Sequence, residues 1–133
     1  MSYMISTRGR YALRTMIDLA EQETDRAVPL RDIAERQGIS LKYLEAIMPG
    51  LKDSGLVIGT AGKGGGYKLA KPASEYSIAE ILEATEDQLA PVACLGDDFK
   101  CERADVCKTL PMWRKLNSMI LDYLESVKLT DLM

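Results

Sequence analysis

Apolar residues in the first part of the chain fall in stripes with helical spacing. Tyr11, Leu13, Met16, Ile17, Leu19 and Ala20 form a broad stripe over Thr7 to Gln22, the periodicity of one helix face. Pro29 opens a second helix, Leu30 to Gln37, with Asp32 in the first turn and Gly38 at the C-cap; proline, an early carboxylate and a closing glycine each suit those places. Ser40 is placed to cap a third helix. In it Leu41, Leu44, Met48 and Leu51 recur at 3-4-3 spacing and are expected to face the core, leaving Lys42, Tyr43, Glu45 and Ala46 outward. Pro49 removes a backbone donor and is expected to kink this helix. Helix, tight glycine turn, then a capped helix with a polar outward face is the pattern of a helix-turn-helix.

The pattern changes after Gly55. Val57-Ile58 and Tyr67-Lys68-Leu69 read as short strands around Gly59-Thr60-Ala61-Gly62-Lys63-Gly64-Gly65-Gly66, a hairpin tip rich in residues free to take positive φ. Ser77-Ile78-Ala79-Glu80 reads as a capping box opening a fourth helix that runs to about Glu86. Gln88 to Thr109 shows no periodicity. Pro111 then starts a long helix in which Trp113, Leu116, Ile120, Tyr123 and Val127 recur at 3-4-3-4 spacing, widened by Met112 and Met119. Such a seam on a terminal helix needs a partner, either the chain's own core or a second subunit. The expected fold class is mainly α with a small β-wing: a winged helix-turn-helix followed by a long C-terminal helix, a dimerisation helix if its seam meets a second subunit. Residues 1–72 are the expected DNA-binding region, and 73–133 carry the cysteine loop and dimerisation helices within one compact domain.

Charge sharpens this division. The 133-residue chain has a net charge of −3, but Met1 to Pro72 holds eleven Lys/Arg against eight Asp/Glu, and the remainder six against twelve. The front half is thus +3 and the back half −6, so one end alone is suited to approach phosphates. No apolar run is long enough to span a membrane. The first residues lack the apolar core of a signal peptide, so the reducing cytoplasm is the expected compartment. The chain has no histidine, no visible nucleophile–base pair and no convincing nucleotide loop; Gly62-Lys63 is followed by Gly64 and leads into a strand, where a phosphate-binding loop needs Ser/Thr and a helix. An enzyme is not expected.

The chemistry-bearing residues form two groups. On the third helix Ser40 and Tyr43 can donate to phosphates or base edges, Lys42 can reach phosphate or guanine, and Glu45 can accept from cytosine N4. Lys63 at the hairpin tip can meet phosphate or enter the minor groove. Arg8, Arg10 and Arg14 crowd the start of the first helix, where the macrodipole disfavours cations, which makes phosphate contact one reason for their presence. The second group is Cys94, Cys101 and Cys107, the chain's only cysteines. Three thiolates satisfy most of a tetrahedral zinc site or three corners of an iron–sulfur cluster, and spacing alone does not separate these, nor three redox-active thiols.

Three blocks in order, Ile5 to Leu13, Ile33 to Glu45 and Gly62 to Leu69, resemble the Rrf regulator family (type two), and the likeness runs from Met4 to Leu132. It implies a homodimer swapped along the last helix that binds double-stranded DNA at a pseudo-palindromic operator. It further implies an iron–sulfur cluster held by Cys94, Cys101 and Cys107, which controls that binding. IscR-like members take a fourth ligand from a histidine three residues beyond the last cysteine, where this chain has Leu110; NsrR-like members take an aspartate from the first helix, where it has Arg10. A four-iron four-sulfur cluster is therefore favoured over a two-iron two-sulfur one. Its fourth ligand would come from solvent, a small molecule or a carboxylate among Asp97, Asp98, Glu102 and Asp105. Ala61 replaces the family's wing arginine, leaving the minor groove to Lys63. A cluster-free regulator responding through thiol oxidation or a protein partner, or a zinc-stabilised interaction module, are the alternatives.

Overall fold

The computed structural model describes residues 5–22, 26–85 and 107–133. Its elements in order are α1 (Thr7–Glu21), α2 (Leu30–Gln37), α3 (Leu41–Asp53), β1 (Val57–Thr60), β2 (Gly66–Leu69), α4 (Ile78–Thr85) and α5 (Leu110–Ser126), with 3₁₀ turns at Ala73–Glu75 and Leu129–Leu132. Each early boundary follows from local chemistry. The Ser6 hydroxyl accepts from the Gly9 amide at 3.2 Å to cap α1. Gly38 closes α2 at φ 64°, a left-handed conformation that L side chains rarely adopt. The Ser40 hydroxyl then accepts from the Tyr43 amide at 3.0 Å. Helix α3 continues through Pro49 rather than breaking there. The carbonyl that loses its donor belongs to Glu45, itself an exposed residue.

Within α3 the core face is Leu44, Ile47, Met48 and Leu51. Leu41, expected inside, is 41% exposed, a correction to the 3-4-3 reading. The stripe is centred one position away, and Leu41 as the first helical residue falls at its margin. These side chains meet Ala12, Met16 and Leu19 of α1, Ile33 of α2, and Ile78, Ile81 and Leu82 of α4 in one core.

Strands β1 and β2 pair antiparallel, Val57 opposite Leu69 and Thr60 opposite Gly66. Val28 adds one more rung, exchanging backbone bonds with Tyr67 at 2.8 and 2.9 Å. Gly66, at φ 147°, sits so close that a Cβ there would run into the Val28 carbonyl. This hairpin is the expected wing.

The wing's root is tied to the C-terminal half through Tyr76, which is fully buried. Its hydroxyl donates to the Leu56 carbonyl at 2.6 Å and accepts from the Ala70 and Lys71 amides at 2.9 and 3.1 Å. One side chain therefore grips the chain on both sides of the hairpin. Around it, the Leu129 amide donates to the Tyr76 carbonyl and the Ile78 amide to the Val127 carbonyl, both at 3.0 Å, so the end of the chain returns to the wing root.

Two further expectations are corrected here. Ser77 does accept from the Glu80 amide at 3.2 Å, but the Glu80 carboxylate leaves the cap to pair with Lys71 at 2.9 Å. The seam expected along α5 is divided. Leu121, Leu124 and Val127 pack against the core, whereas Met112, Leu116, Met119 and Tyr123 are exposed.

Candidate DNA-binding surface and cysteine segment

The first turn of α3 stands at the surface. Ser40, Lys42, Glu45 and Ala46 are exposed, held there because Ser40 anchors the helix start and the opposite face is committed to the core. Tyr43 is half-buried; its ring meets Tyr11 edge to face, with centroids 5.3 Å apart at 72°. The wing tip beside it carries exposed Lys63 between Gly62 at φ 85° and Gly64 at φ 79°, a backbone that leaves the lysine on a narrow projection.

Between these elements runs a cleft of about 530 Å³. Leu30, Arg31, Leu41, Lys52, Gly62 and Tyr67 are among its walls. This explains Leu41's exposure. Arg31 and Lys52, both exposed, are basic residues that the sequence reading did not single out. Their place became visible only when the wing folded against α3. Among the described residues no carboxylate lines the cleft, so a polyanion entering it meets the cations Arg31 and Lys52.

Arg8 and Arg10 are exposed on the first turn of α1, and Arg10 also donates to the Thr7 hydroxyl at 3.1 Å. Arg14, for which phosphate contact was one candidate role, makes contacts within the chain. Its Nε donates to Gln37 Oε1 at 3.3 Å, Nη2 donates to the Gln37 backbone carbonyl, and the guanidinium lies 5.3 Å from the centre of the Tyr11 ring. One turn further along α1, Asp18 is 2% exposed. Arg36 Nε donates to both its oxygens at 3.2 and 3.0 Å, Arg36 Nη2 to Oδ1 at 2.8 Å and Gln37 Nε2 to Oδ2 at 3.0 Å. The hydrogen bond to Asp18 raises the Arg36 pKa above its ordinary value and keeps the guanidinium charged. A buried carboxylate is costly unless paired and hydrogen-bonded, and here it is both.

Of the cysteines, Cys107 is described. It is half-buried, with Sγ 3.3 Å from the Thr109 hydroxyl, just ahead of the seventeen-residue α5. The positive end of a helix suits an anionic centre nearby. Cys94 and Cys101, with Asp97, Asp98, Glu102 and Asp105, lie outside the described residues. In chemical type the donor set suits the implied cluster: three soft thiolates on one segment, in a chain without histidine.

A capped recognition helix, a glycine-rich wing and a cationic cleft between them define a winged helix-turn-helix DNA-binding protein. Comparison with known proteins narrows the class. A family model described as Rrf2, iron-dependent transcriptional regulator, matches residues 5–133. The HTH-type transcriptional regulator IscR of Photorhabdus laumondii is 41% identical over 128 residues, covering 96% of this chain and 77% of that protein. Among solved structures, CymR, the global cysteine regulator of B. subtilis, superposes with a TM-score of 0.77 at 31% identity, covering 99% of this chain and 96% of that one. IscR of T. potens gives 0.75 at 34% identity, covering 96% and 84%. The chain belongs to the Rrf2 family and is a DNA-binding transcription regulator, not an enzyme. Among the described residues no helix is long and apolar enough to cross a membrane.

Proposed function

We propose that this regulator acts in the cytoplasm as a homodimer, binding a pseudo-palindromic operator and sensing iron–sulfur status, redox state or a small ligand through Cys94, Cys101 and Cys107. The observation that carries the DNA half of this reading is the exposed first turn of α3, whose Leu41 lines one cleft together with Thr60, Ala61 and Gly62 of the wing. Lys42 and Glu45 enter the major groove, Ser40 and Tyr43 flank them, Lys63 meets phosphate or the minor groove, and Arg8 and Arg10 hold the backbone. The exposed α5 face supplies the dimer contact, and a dimer presents two α3 helices to two half-sites.

The sensory half rests on the donor set and on likeness to IscR. A bound cluster would supply a centre whose charge and stability change with oxidation or ligand attack. Cys107, immediately before α5, would pass that change to the dimerisation helix. The absence of a histidine favours four irons and four sulfides, with the remaining iron open to solvent, a small molecule or a segment carboxylate. Iron and sulfide analysis with a visible spectrum of anaerobically purified protein tests this. About four of each per subunit are expected, and Cys107→Ala, Cys94→Ala and Cys101→Ala should each remove the absorbance and alter DNA binding while leaving the fold intact. Zinc without iron, or spectra unchanged in all three variants, would overturn it. The likeness to CymR favours one second reading, a cluster-free member responding by thiol oxidation or a protein partner; iron-free protein whose DNA affinity changes with oxidant would select it.

A further inference from the structure

Three side chains of α1 at i, i+3 and i+7, Tyr11, Arg14 and Asp18, lie on one face of the helix and reach three consecutive parts of the helix-turn-helix. Asp18 takes Arg36 and Gln37 at the end of α2. Arg14 takes the Gln37 carbonyl, the last one before the glycine turn. Tyr11 sits under the Arg14 guanidinium and meets Tyr43 in the first turn of α3. The contacts form one unbroken chain from a buried carboxylate to the helix that presents Lys42 and Glu45.

We propose that this chain is a brace that sets the angle of α3 against DNA, with Asp18 and Arg14 as positioning residues for base reading rather than DNA contacts. It rests on α3 being the recognition helix. Hydrophobic packing of Leu44, Ile47 and Met48 resists separation of α3 from the core, but apolar contact is non-directional and resists small rotations weakly. Charge-assisted, multidentate hydrogen bonds are directional and resist them strongly. Four bonds on Asp18 fix the end of α2. The Arg14 bond to Gln37 then fixes the carbonyl from which the two-residue turn, Gly38 and Ile39, departs. A base contact depends on that angle, because a bidentate pair is lost when its donors move off the base edge. A phosphate contact by a long lysine does not.

The test separates discrimination from affinity. Wild-type protein selects a duplex from a random-sequence pool. Its affinity for that duplex and for bulk random duplex is then measured across salt concentrations, alongside Asp18→Asn, Arg14→Met and Lys42→Ala. Asp18→Asn and Arg14→Met are expected to lose about tenfold on the selected duplex, the order of one base contact, with bulk affinity and salt slope unchanged. Arg14 is at the surface, so Arg14→Met keeps the test sound even where the buried Asp18 variant folds poorly. Equal losses on both duplexes, or no loss in Arg14→Met, would overturn the brace. So would a salt slope lower by about one in Arg14→Met, since Arg14 would then be a phosphate contact. If Lys42→Ala changes neither affinity nor slope, the recognition-helix reading itself fails and the brace falls with it. If Lys42→Ala weakens binding while Arg14→Met discriminates normally, the brace alone falls.

Discussion

Helices α3 and α5 are both amphipathic, and they spend their two faces in opposite ways. Helix α3 buries Leu44, Ile47, Met48 and Leu51 in its own chain and turns Lys42, Glu45 and Lys52 outward. Among the described residues, helix α5 buries Leu110 at its start and packs Leu121 and Leu124, with Val127 behind them, against the core. It leaves Met112, Leu116, Met119 and Tyr123 exposed at 4-3-4 spacing, with Met119 at 57% and Tyr123 at 67%. A polar free face beside a cationic cleft suits a hydrated polyanion. An apolar free face at heptad spacing suits another apolar helix. The two helices thus point to two different kinds of partner, DNA and a second copy.

Charging the α5 face should produce the largest effect. Leu116→Glu with Met119→Glu places two carboxylates where a dimer would bury apolar surface worth about 1.5–3 kcal/mol per side chain. Analytical ultracentrifugation should show dimerisation weakened by more than about a hundredfold, with operator affinity falling alongside it. A dimer of undiminished stability would show that the exposed face has another use, and the contrast with α3 would lose one side.

A smaller loss is expected at the joint between the two halves. Tyr76→Phe leaves the Lys71 amide without its hydroxyl partner and the Ala70 amide and Leu56 carbonyl with only their 3.3 Å bond to each other, at a cost of about 1–3 kcal/mol. The pH dependence has a definite sign. Burial raises the phenol's pKa above its ordinary 10.0, against a smaller lowering by the Lys71 and Ala70 amides. The folded state therefore holds this proton more tightly than the unfolded chain. Its contribution is complete below about pH 10 and is lost as pH rises through the folded value. Urea denaturation from pH 8 to 11 should show a steeper loss in wild type than in Tyr76→Phe, and parallel curves would remove the phenol from the account.

How much of this could be read in the sequence differed between the two regions, for physical reasons. Pro29, Gly38 and Ser40 punctuate the helix-turn-helix through local backbone preferences, so its boundaries were legible. The wing was legible for the same reason, since glycines at positive φ mark a hairpin tip wherever it packs. Partners distant in the chain were not. Asp18 reads as a lone acid in an apolar stripe until α2 brings Arg36 to it. Glu80 completes a capping box on paper and pairs with Lys71 in space. Leu41 fits a 3-4-3 count but faces the wing cleft, which no periodicity reveals. On α5 the spacing announced a seam without saying which stripe the core would claim; Leu121 and Leu124 won because the chain's return through Leu129 draws that end inward.

On the α3 side, Lys42→Ala and Lys63→Ala should each weaken operator binding and reduce the slope of log affinity against log salt by about one, the signature of one phosphate contact. Fluorescence anisotropy from about 50 to 200 mM salt measures both quantities. Unchanged slopes in both variants would take the polyanion away from α3 and the wing. A slope change for Lys63 alone would leave the wing as the electrostatic contact and move base reading elsewhere.

The smallest change in overall affinity, and the most informative about α3, belongs to Glu45. A carboxylate on a surface that approaches phosphates is a local cost, because it repels the backbone at every sequence. That cost is offset only where the carboxylate accepts a hydrogen bond from a base, and cytosine N4 in the major groove is the donor it suits. Glu45→Ala removes the repulsion and the base contact together. Binding to duplexes with cytosine at the contacted position should weaken, binding to duplexes lacking it should strengthen, and the mean over all sequences should hardly move. Competition binding against a panel with single-base substitutions reads this directly, with about 1–3 kcal/mol at stake at the one position. A uniform gain at all positions would reduce Glu45 to a repulsive surface charge. A uniform loss would make it a structural support of α3. Only a change confined to one base pair fits a helix whose polar face reads DNA as well as clinging to it.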